Sequence, residues 1–73
     1  MNDEEAYRIV KDIETPTYLN LAHVYIKVEQ YHYAIKYATQ ALDNDSSNSK
    51  ALYRRGLAYT KIGELNKARD DLN

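Results

Sequence analysis

Apolar side chains recur every three or four positions along most of this chain, which is the spacing of one face of an α-helix. In residues 16–28 they are Leu21, Ala22, Tyr25 and Val28, and in residues 31–42 they are Tyr31, Ala34, Ile35, Ala38 and Leu42. In residues 49–62 they are Leu52, Gly56, Tyr59 and Ile62. A last, short helix is predicted from residue 64 or 65 to residue 73. The pattern therefore predicts an all-α chain of antiparallel helix-turn-helix units.

The first fourteen residues also have apolar side chains at helical spacing, at Ala6, Ile9, Val10 and Ile13. Acidic residues cluster at the start of this segment, where they suit a helix N-terminus. Thr15 and Pro16 follow, and proline disfavours the helical conformation in the residue before it. Threonine is also a good N-cap, and proline is tolerated at the first helical position. We therefore expect a break near Thr15, with residues 1–14 forming a short helix or an extension of the next one.

Three segments have the composition of turns. Gly63 is expected to end the third helix in the left-handed conformation. Glu29 and Gln30 make the corresponding earlier turn without a glycine. Residues 43–49, DNDSSNS, are rich in side chains that hydrogen-bond their own backbone, so they predict a loop. Asn48 is the candidate N-cap of the third helix.

The second pair of helices repeats the first at a distance of 34 residues. The matched positions are Tyr59 with Tyr25 (59 − 25 = 34), Ala68 with Ala34, and Gly56 with Ala22. A fixed period of this length, with small and aromatic residues at fixed places, indicates a helical repeat array. We therefore divide the chain into an N-terminal helical extension, residues 1–14, one repeat, residues 15–48, and a second repeat, residues 49–73, with a truncated last helix.

Composition excludes several classes of function. The formal net charge is −1, which argues against nucleic-acid binding through overall positive charge. No apolar run is long enough to span a bilayer, and the acidic N-terminus does not resemble a signal peptide. We therefore expect a soluble, cytoplasmic chain without nucleic-acid or membrane partners.

The candidate chemistry is sparse. There is no cysteine, and His23 and His32 are nine positions apart, so no metal site and no cofactor is expected. No nucleophile-base pair or phosphate-binding loop is present, so we do not expect an enzyme. The eight tyrosines are interpreted as mostly structural, with an aromatic ligand site as the alternative.

At the positions that repeat after 34 residues, the chain resembles the tetratricopeptide repeat family. The matching positions are Leu21, Ala22, Tyr25, Ala34, Ala38 and Ala41 in the first copy, and Gly56, Tyr59, Gly63, Ala68 and Leu72 in the second. The resemblance implies a right-handed α-superhelix that binds other proteins. Ser46 departs from the pattern, because the family usually has a proline there.

Residues 18–22, YLNLA, and residues 49–56, SKALYRRG, carry a narrower resemblance, which is to the carboxylate-clamp repeats of co-chaperones such as the large FK506-binding immunophilins. It implies a groove for the acidic C-terminal Glu-Glu-Val-Asp peptide of ninety- and seventy-kilodalton heat-shock chaperones. Later members of the clamp correspond to Asn20, Lys50 and Arg54. Two earlier members, a lysine and an asparagine of a preceding repeat, have no counterpart here.

The residues themselves support the same site. Lys50 and Arg54 are four positions apart, hence neighbours on one helix face, where they are able to hold a carboxylate. His23 and Ile26 continue the same helix face as Asn20 and are further candidate ligand contacts, and Lys27 adds positive charge nearby. The alternative is that these cations only solvate a helix face.

Two function hypotheses follow. The first is a fragment of a co-chaperone that binds acidic peptides, whose parent chain could carry a peptidyl-prolyl isomerase domain. The second is a scaffold or self-associating repeat segment, forming a homo-oligomer or a domain swap, because a solenoid usually needs about three repeats.

Overall fold

The computed structural model describes residues 2–73, which form four α-helices joined by short turns. Their bounds are Asp3–Lys27 for α1, Tyr31–Asn44 for α2, Ser49–Lys61 for α3 and Leu65–Leu72 for α4. Consecutive helices pack on one another, and α3 also contacts α1. The predicted all-α helix-turn-helix fold is confirmed.

The predicted break near Thr15 is wrong, because α1 runs without interruption through Pro16. The helix begins at Asp3, where the Asn2 side chain accepts a hydrogen bond from the Glu5 amide at 2.8 Å. Proline removes one backbone donor, but the neighbouring turns are held by other bonds. The Thr17 hydroxyl donates to the Ile13 carbonyl at 3.2 Å. Residues 3–14 and residues 15–27 are therefore parts of one helix, which confirms the alternative that the first segment extends the next helix.

One further hydrogen bond spans this region of α1. The Tyr18 hydroxyl donates to Glu14 at 2.9 Å, one turn earlier. This bond raises the pKa of Tyr18, because ionisation of the phenol would remove the donor that the carboxylate uses.

The turns after α1 and α3 have the same geometry. Glu29 and Gly63 both have positive φ angles, of 62° and 82°. The amide after each of them donates back to a tyrosine carbonyl, from Gln30 to Tyr25 at 2.8 Å and from Glu64 to Tyr59 at 2.9 Å. This is the six-residue closure of a Schellman motif. The left-handed Gly63 is thus confirmed, and Glu29 makes the same turn without the freedom of a glycine.

Alanine dominates the interior of this structure. Seven alanines are buried, namely Ala22, Ala34, Ala38, Ala41, Ala51, Ala58 and Ala68. Among residues 2–73 Leu42 is the largest buried side chain, at 8% exposure, and none of their large side chains is completely enclosed. Small side chains let the helices approach closely, but they bury little apolar area in each layer.

The apolar positions of the first half of α1 are exposed. Each residue from 2 to 10 is exposed, and Ile13 is 65% exposed. Val28, predicted on the inner face of the first helix, is 56% exposed because it lies at the C-cap of α1, where the chain turns away. The face that includes Ala22 and Tyr25 does point inward.

Four tyrosines stack between α1 and α2. Tyr37 lies between Tyr18 and Tyr25, with ring centroids 6.2 Å and 5.6 Å away, and Tyr33 stacks on Tyr25 at 5.2 Å. These rings supply contact area that the alanines do not. Their packing agrees with a structural role.

Candidate functional site

An open groove of about 530 Å³ runs between α1 and α3. From α1 it is lined by His23 and Ile26, and from α3 by Ser49, Lys50, Tyr53, Arg54 and Leu57. Three basic side chains and three large apolar ones therefore share one surface. None of the described residues that line it is acidic.

The N-terminus of α3 determines where the two cations lie. The Asn48 side chain accepts a hydrogen bond from the Ala51 amide at 2.9 Å, so the predicted N-cap is confirmed and the helix begins at Ser49. Lys50 and Arg54 then follow one turn apart on the groove side. Within residues 2–73 neither has an acidic side chain at ion-pair distance.

Arg54 is held by the backbone of α1. Its Nη1 donates to the Leu19 carbonyl oxygen at 2.8 Å, and the side chain is half-buried. A guanidinium carries five N–H groups, so one bond leaves further donors for a ligand. Arg54 is thus oriented by the fold, whereas Lys50 is exposed and free to adjust.

The structure brings together three of the five predicted binding residues, His23, Lys50 and Arg54. The other two, Asn20 and Lys27, are exposed on α1, one turn before and one turn after His23. They flank the groove without lining it. The part of all five in ligand binding stays a prediction.

Ser49, Tyr53 and Leu57 also line the groove, although the sequence pattern did not single them out as site residues. Tyr53 is 60% exposed and lines the groove together with the two cations. The spacing from Lys50 to Tyr53 and Leu57, three and seven positions, is that of one helix face. This spacing was the available signal.

Arg55 belongs to the packing and not to the groove. Its Nε and Nη2 donate to the two carboxylate oxygens of Asp71 at 2.7 Å and 2.8 Å, and its Nη1 donates to the Thr39 hydroxyl at 3.3 Å. The hydrogen bonds to Asp71 raise the pKa of Arg55. The side chain thus joins α2, α3 and α4.

A second groove, of about 440 Å³, lies between α1 and the end of α2. It is lined by Arg8, Lys11, Asp12, Thr15, Pro16, Asn44 and Asp45. Because it mixes two cations with two carboxylates, it lacks the single sign of charge that selects an ionic ligand.

Metal-binding and membrane-spanning features are both absent from the described chain. Among residues 2–73 no cluster of three or more His, Asp or Glu side chains is placed to hold a metal ion. Across the same residues, none of the helices combines the length and hydrophobicity of a bilayer crossing.

The fold and the groove define a class of protein, a helical-repeat module that interacts with other proteins. The chain belongs to the tetratricopeptide repeat family, whose sequence profile matches residues 15–48 and 49–73. This repeat is a non-catalytic fold.

The chain is similar to the repeat regions of several FK506-binding proteins. It is 39% identical over 59 residues to the peptidyl-prolyl cis-trans isomerase FKBP42 of Arabidopsis thaliana, covering 81% of this chain and 16% of that protein. It is 40% identical over 68 residues to the inactive peptidyl-prolyl cis-trans isomerase FKBP6 of Homo sapiens, covering 93% and 21%. With FKBP4 of Bos taurus it shares 34% identity over 70 residues, covering 96% and 15%. The chain thus spans about a fifth or less of the length of these relatives.

A solved structure agrees with this relationship. The C-terminal TPR-containing domain of a Plasmodium falciparum FK506-binding protein matches with a TM-score of 0.91 and 37% sequence identity. The match covers 97% of this chain and 47% of that one. The chain is therefore a tetratricopeptide interaction module related to those of the FK506-binding immunophilins.

Proposed function

We propose that this module is part of a co-chaperone and binds the acidic C-terminal Glu-Glu-Val-Asp peptide of ninety- and seventy-kilodalton heat-shock chaperones. One observation carries the proposal: Lys50 and Arg54 line the same open groove, and no acidic side chain lines it with them. Two cations on one wall are able to hold carboxylates through charge-assisted hydrogen bonds. The kinship with FK506-binding immunophilins supports this choice of ligand.

In this proposal each residue of the groove has a separate part. Arg54, oriented by the Leu19 carbonyl, offers its remaining N–H groups to a carboxylate. Lys50 adjusts to the second carboxylate oxygen. Asn20 donates its side-chain amide from the edge of α1, and His23 and Lys27 add polar contacts along the same helix.

The apolar side chains of the groove suit the valine of this peptide. Ile26, Tyr53 and Leu57 lie beside the cations, so an aliphatic side chain next to the terminal carboxylate is able to leave water there. Charge and apolar contact together match a peptide that combines acidic and aliphatic residues.

The test is calorimetric titration of the whole chain with a peptide ending in Glu-Glu-Val-Asp. Lys50→Ala is expected to weaken binding at least about tenfold, because a hydrogen bond to a charged group contributes about 1.5–3 kcal/mol. The matched control is Lys36→Ala, which removes the same charge from α2, outside the groove. Binding is also expected to weaken with added salt.

Amidation of the peptide's C-terminus supplies a second control, because it removes the terminal carboxylate and leaves the carboxylate side chains unchanged. If Lys50→Ala and Lys36→Ala bind the free-acid peptide as the unaltered chain does, the groove is not the binding site. The proposal also implies a cytoplasmic location, since these chaperones are cytosolic, and microscopy of the tagged full-length protein tests it.

A second candidate function is a scaffold that associates through its exposed apolar positions. Leu65 and Leu72 on α4 are 64% and 48% exposed, and Val10 and Ile13 on α1 are 48% and 65% exposed. If these faces bind a second copy, the sedimentation coefficient rises with concentration and Ile13→Glu prevents the rise. A constant monomeric value at high micromolar concentration argues against this candidate.

A further inference from the structure

His23 is the titratable imidazole of the proposed peptide site. It is exposed on α1 and lines the groove together with Lys50 and Arg54 of α3. Lysine and arginine keep their charge at every physiological pH, but an imidazole ordinarily gains or loses its charge between about pH 5 and 8. Two of the positive charges in the groove are therefore permanent, and a third is added only when the imidazole is protonated.

We infer that His23 makes acidic-peptide binding by this groove depend on pH, as a third cationic contact that forms under mildly acidic conditions. The inference rests on the proposed function and adds the regulation of that site. Its ligand class is a peptide with an acidic side chain upstream of its C-terminal carboxylate. Lys50 and Arg54 hold the terminus, and the protonated imidazole contacts the upstream acid.

The charged and titratable groups around His23 agree on the sign of the effect. On its own helix the neighbour one turn later is Lys27, and from α3 it faces Lys50, Arg54 and the Tyr53 phenol. No carboxylate lines the groove. The neighbouring cations oppose a further positive charge on the imidazole. A bound acidic peptide offsets these cations and places a carboxylate nearby, so the complex takes up a proton on the imidazole more readily than the free groove does. By linkage, binding then strengthens as the pH falls.

The experiment is titration of the whole chain with the Glu-Glu-Val-Asp peptide at pH 7.5 and pH 6.0, at one ionic strength. The peptide carboxyl groups ordinarily titrate near pH 4, so their charge changes little over this range. Affinity is expected to rise about threefold to tenfold at the lower pH. Repeating the titration in buffers of different ionisation enthalpy counts the protons taken up on binding.

Two variants separate His23 from other sources of pH dependence. His23→Gln keeps a polar side chain in the groove and is expected to bind equally at both pH values, with no proton uptake. His32→Gln is the matched control, because His32 is the other histidine and is exposed on α2, away from the groove. It is expected to keep the full increase. A peptide with glutamines in place of the two glutamates is expected to lose the increase.

The outcomes distinguish this inference from the proposal beneath it. Peptide binding that is the same at both pH values, or an increase that survives in His23→Gln, overturns the role of His23 and leaves the groove as the peptide site. Absence of binding at both pH values overturns the proposed function, and the inference falls with it.

Discussion

Glu29 and Gly63 occupy equivalent positions in the two repeats (63 − 29 = 34) and share a left-handed backbone. A side chain with a Cβ in this conformation costs about 1–2 kcal/mol, and a glycine has no such cost. The space around Gly63 is open, because a Cβ added there would meet no atom within 4 Å. The strain of a side chain at position 63 would therefore come from the backbone conformation alone.

Exchanging the residue types at these two turns is expected to have opposite effects. Gly63→Ala should lower the free energy of unfolding by about 1 kcal/mol, and Glu29→Gly should raise it by up to a similar amount. Urea denaturation followed by circular dichroism measures both. A gain from Gly63→Ala, or a loss from Glu29→Gly, would show that the left-handed conformation does not control these turns.

Gly56 is needed for a different reason, the approach of α4 to α3. A Cβ at this position would lie 2.6 Å from Leu72 Cγ and 3.2 Å from Asp71 Cβ. Alanine in a helix gains about 1 kcal/mol over glycine, but overpacking costs about 1–3 kcal/mol. The steric cost should therefore prevail.

A double-mutant cycle tests this contact. Gly56→Ala is expected to destabilise the chain by about 1 kcal/mol, the excess of the steric cost over the gain in propensity. In a Leu72→Ala background the nearest clashing atoms are removed, so the same change should become neutral or stabilising. An equal loss of stability in both backgrounds would show that the Leu72 side chain is not the cause of the destabilisation.

At the scale of elements, Arg55 controls how α4 is attached. Within this eight-residue helix Ala68 is the buried residue, so α4 adds little apolar burial. The ion pair of Arg55 with Asp71 is largely buried, with side-chain exposures of 23% and 7%. Removing either partner leaves the other poorly solvated.

Arg55→Ala is accordingly expected to lower the free energy of unfolding by about 2 kcal/mol and to speed amide hydrogen exchange in α4 first. The control is Arg69→Ala, an exposed arginine of α4, which should change stability by no more than about 0.5 kcal/mol. If exchange in α4 is the same in both variants, the ion pair does not anchor the helix.

The elements differ in how far the sequence predicted them. Gly63, Asn48 and the alanine spacing are local signals, and the turn, the N-cap and the inner faces follow them. The expected break at Pro16 was wrong because proline removes one backbone donor, while the side chains of Thr17 and Tyr18 make hydrogen bonds across the neighbouring turns of α1.

The groove was predicted only in part, because helix-face spacing can be read from the sequence and the crossing of two helices cannot. Lys50 and Arg54 share a helix face by spacing alone, so their proximity was predictable. The bond from Arg54 to the Leu19 carbonyl depends on how α3 crosses α1, and that crossing is a property of the packed layers. The exposure of Tyr53 into the groove has the same origin.

For the whole molecule, the alanine-rich interior limits stability. Leu42 is its largest buried side chain, so the apolar area buried per residue is small. We expect a free energy of unfolding no greater than about 5 kcal/mol for the isolated chain, measured by urea denaturation at low micromolar concentration. A value well above this would mean that the tyrosine stack contributes more than its contact area suggests.

The unbroken α1 joins two surfaces that otherwise have nothing in common. Its exposed first half and the wall of the groove belong to one rod, and about 20 Å of helix separate Val10 from His23. A partner bound along the free end would therefore lie at a fixed distance of about 20 Å from a peptide in the groove, because one continuous helix carries both surfaces.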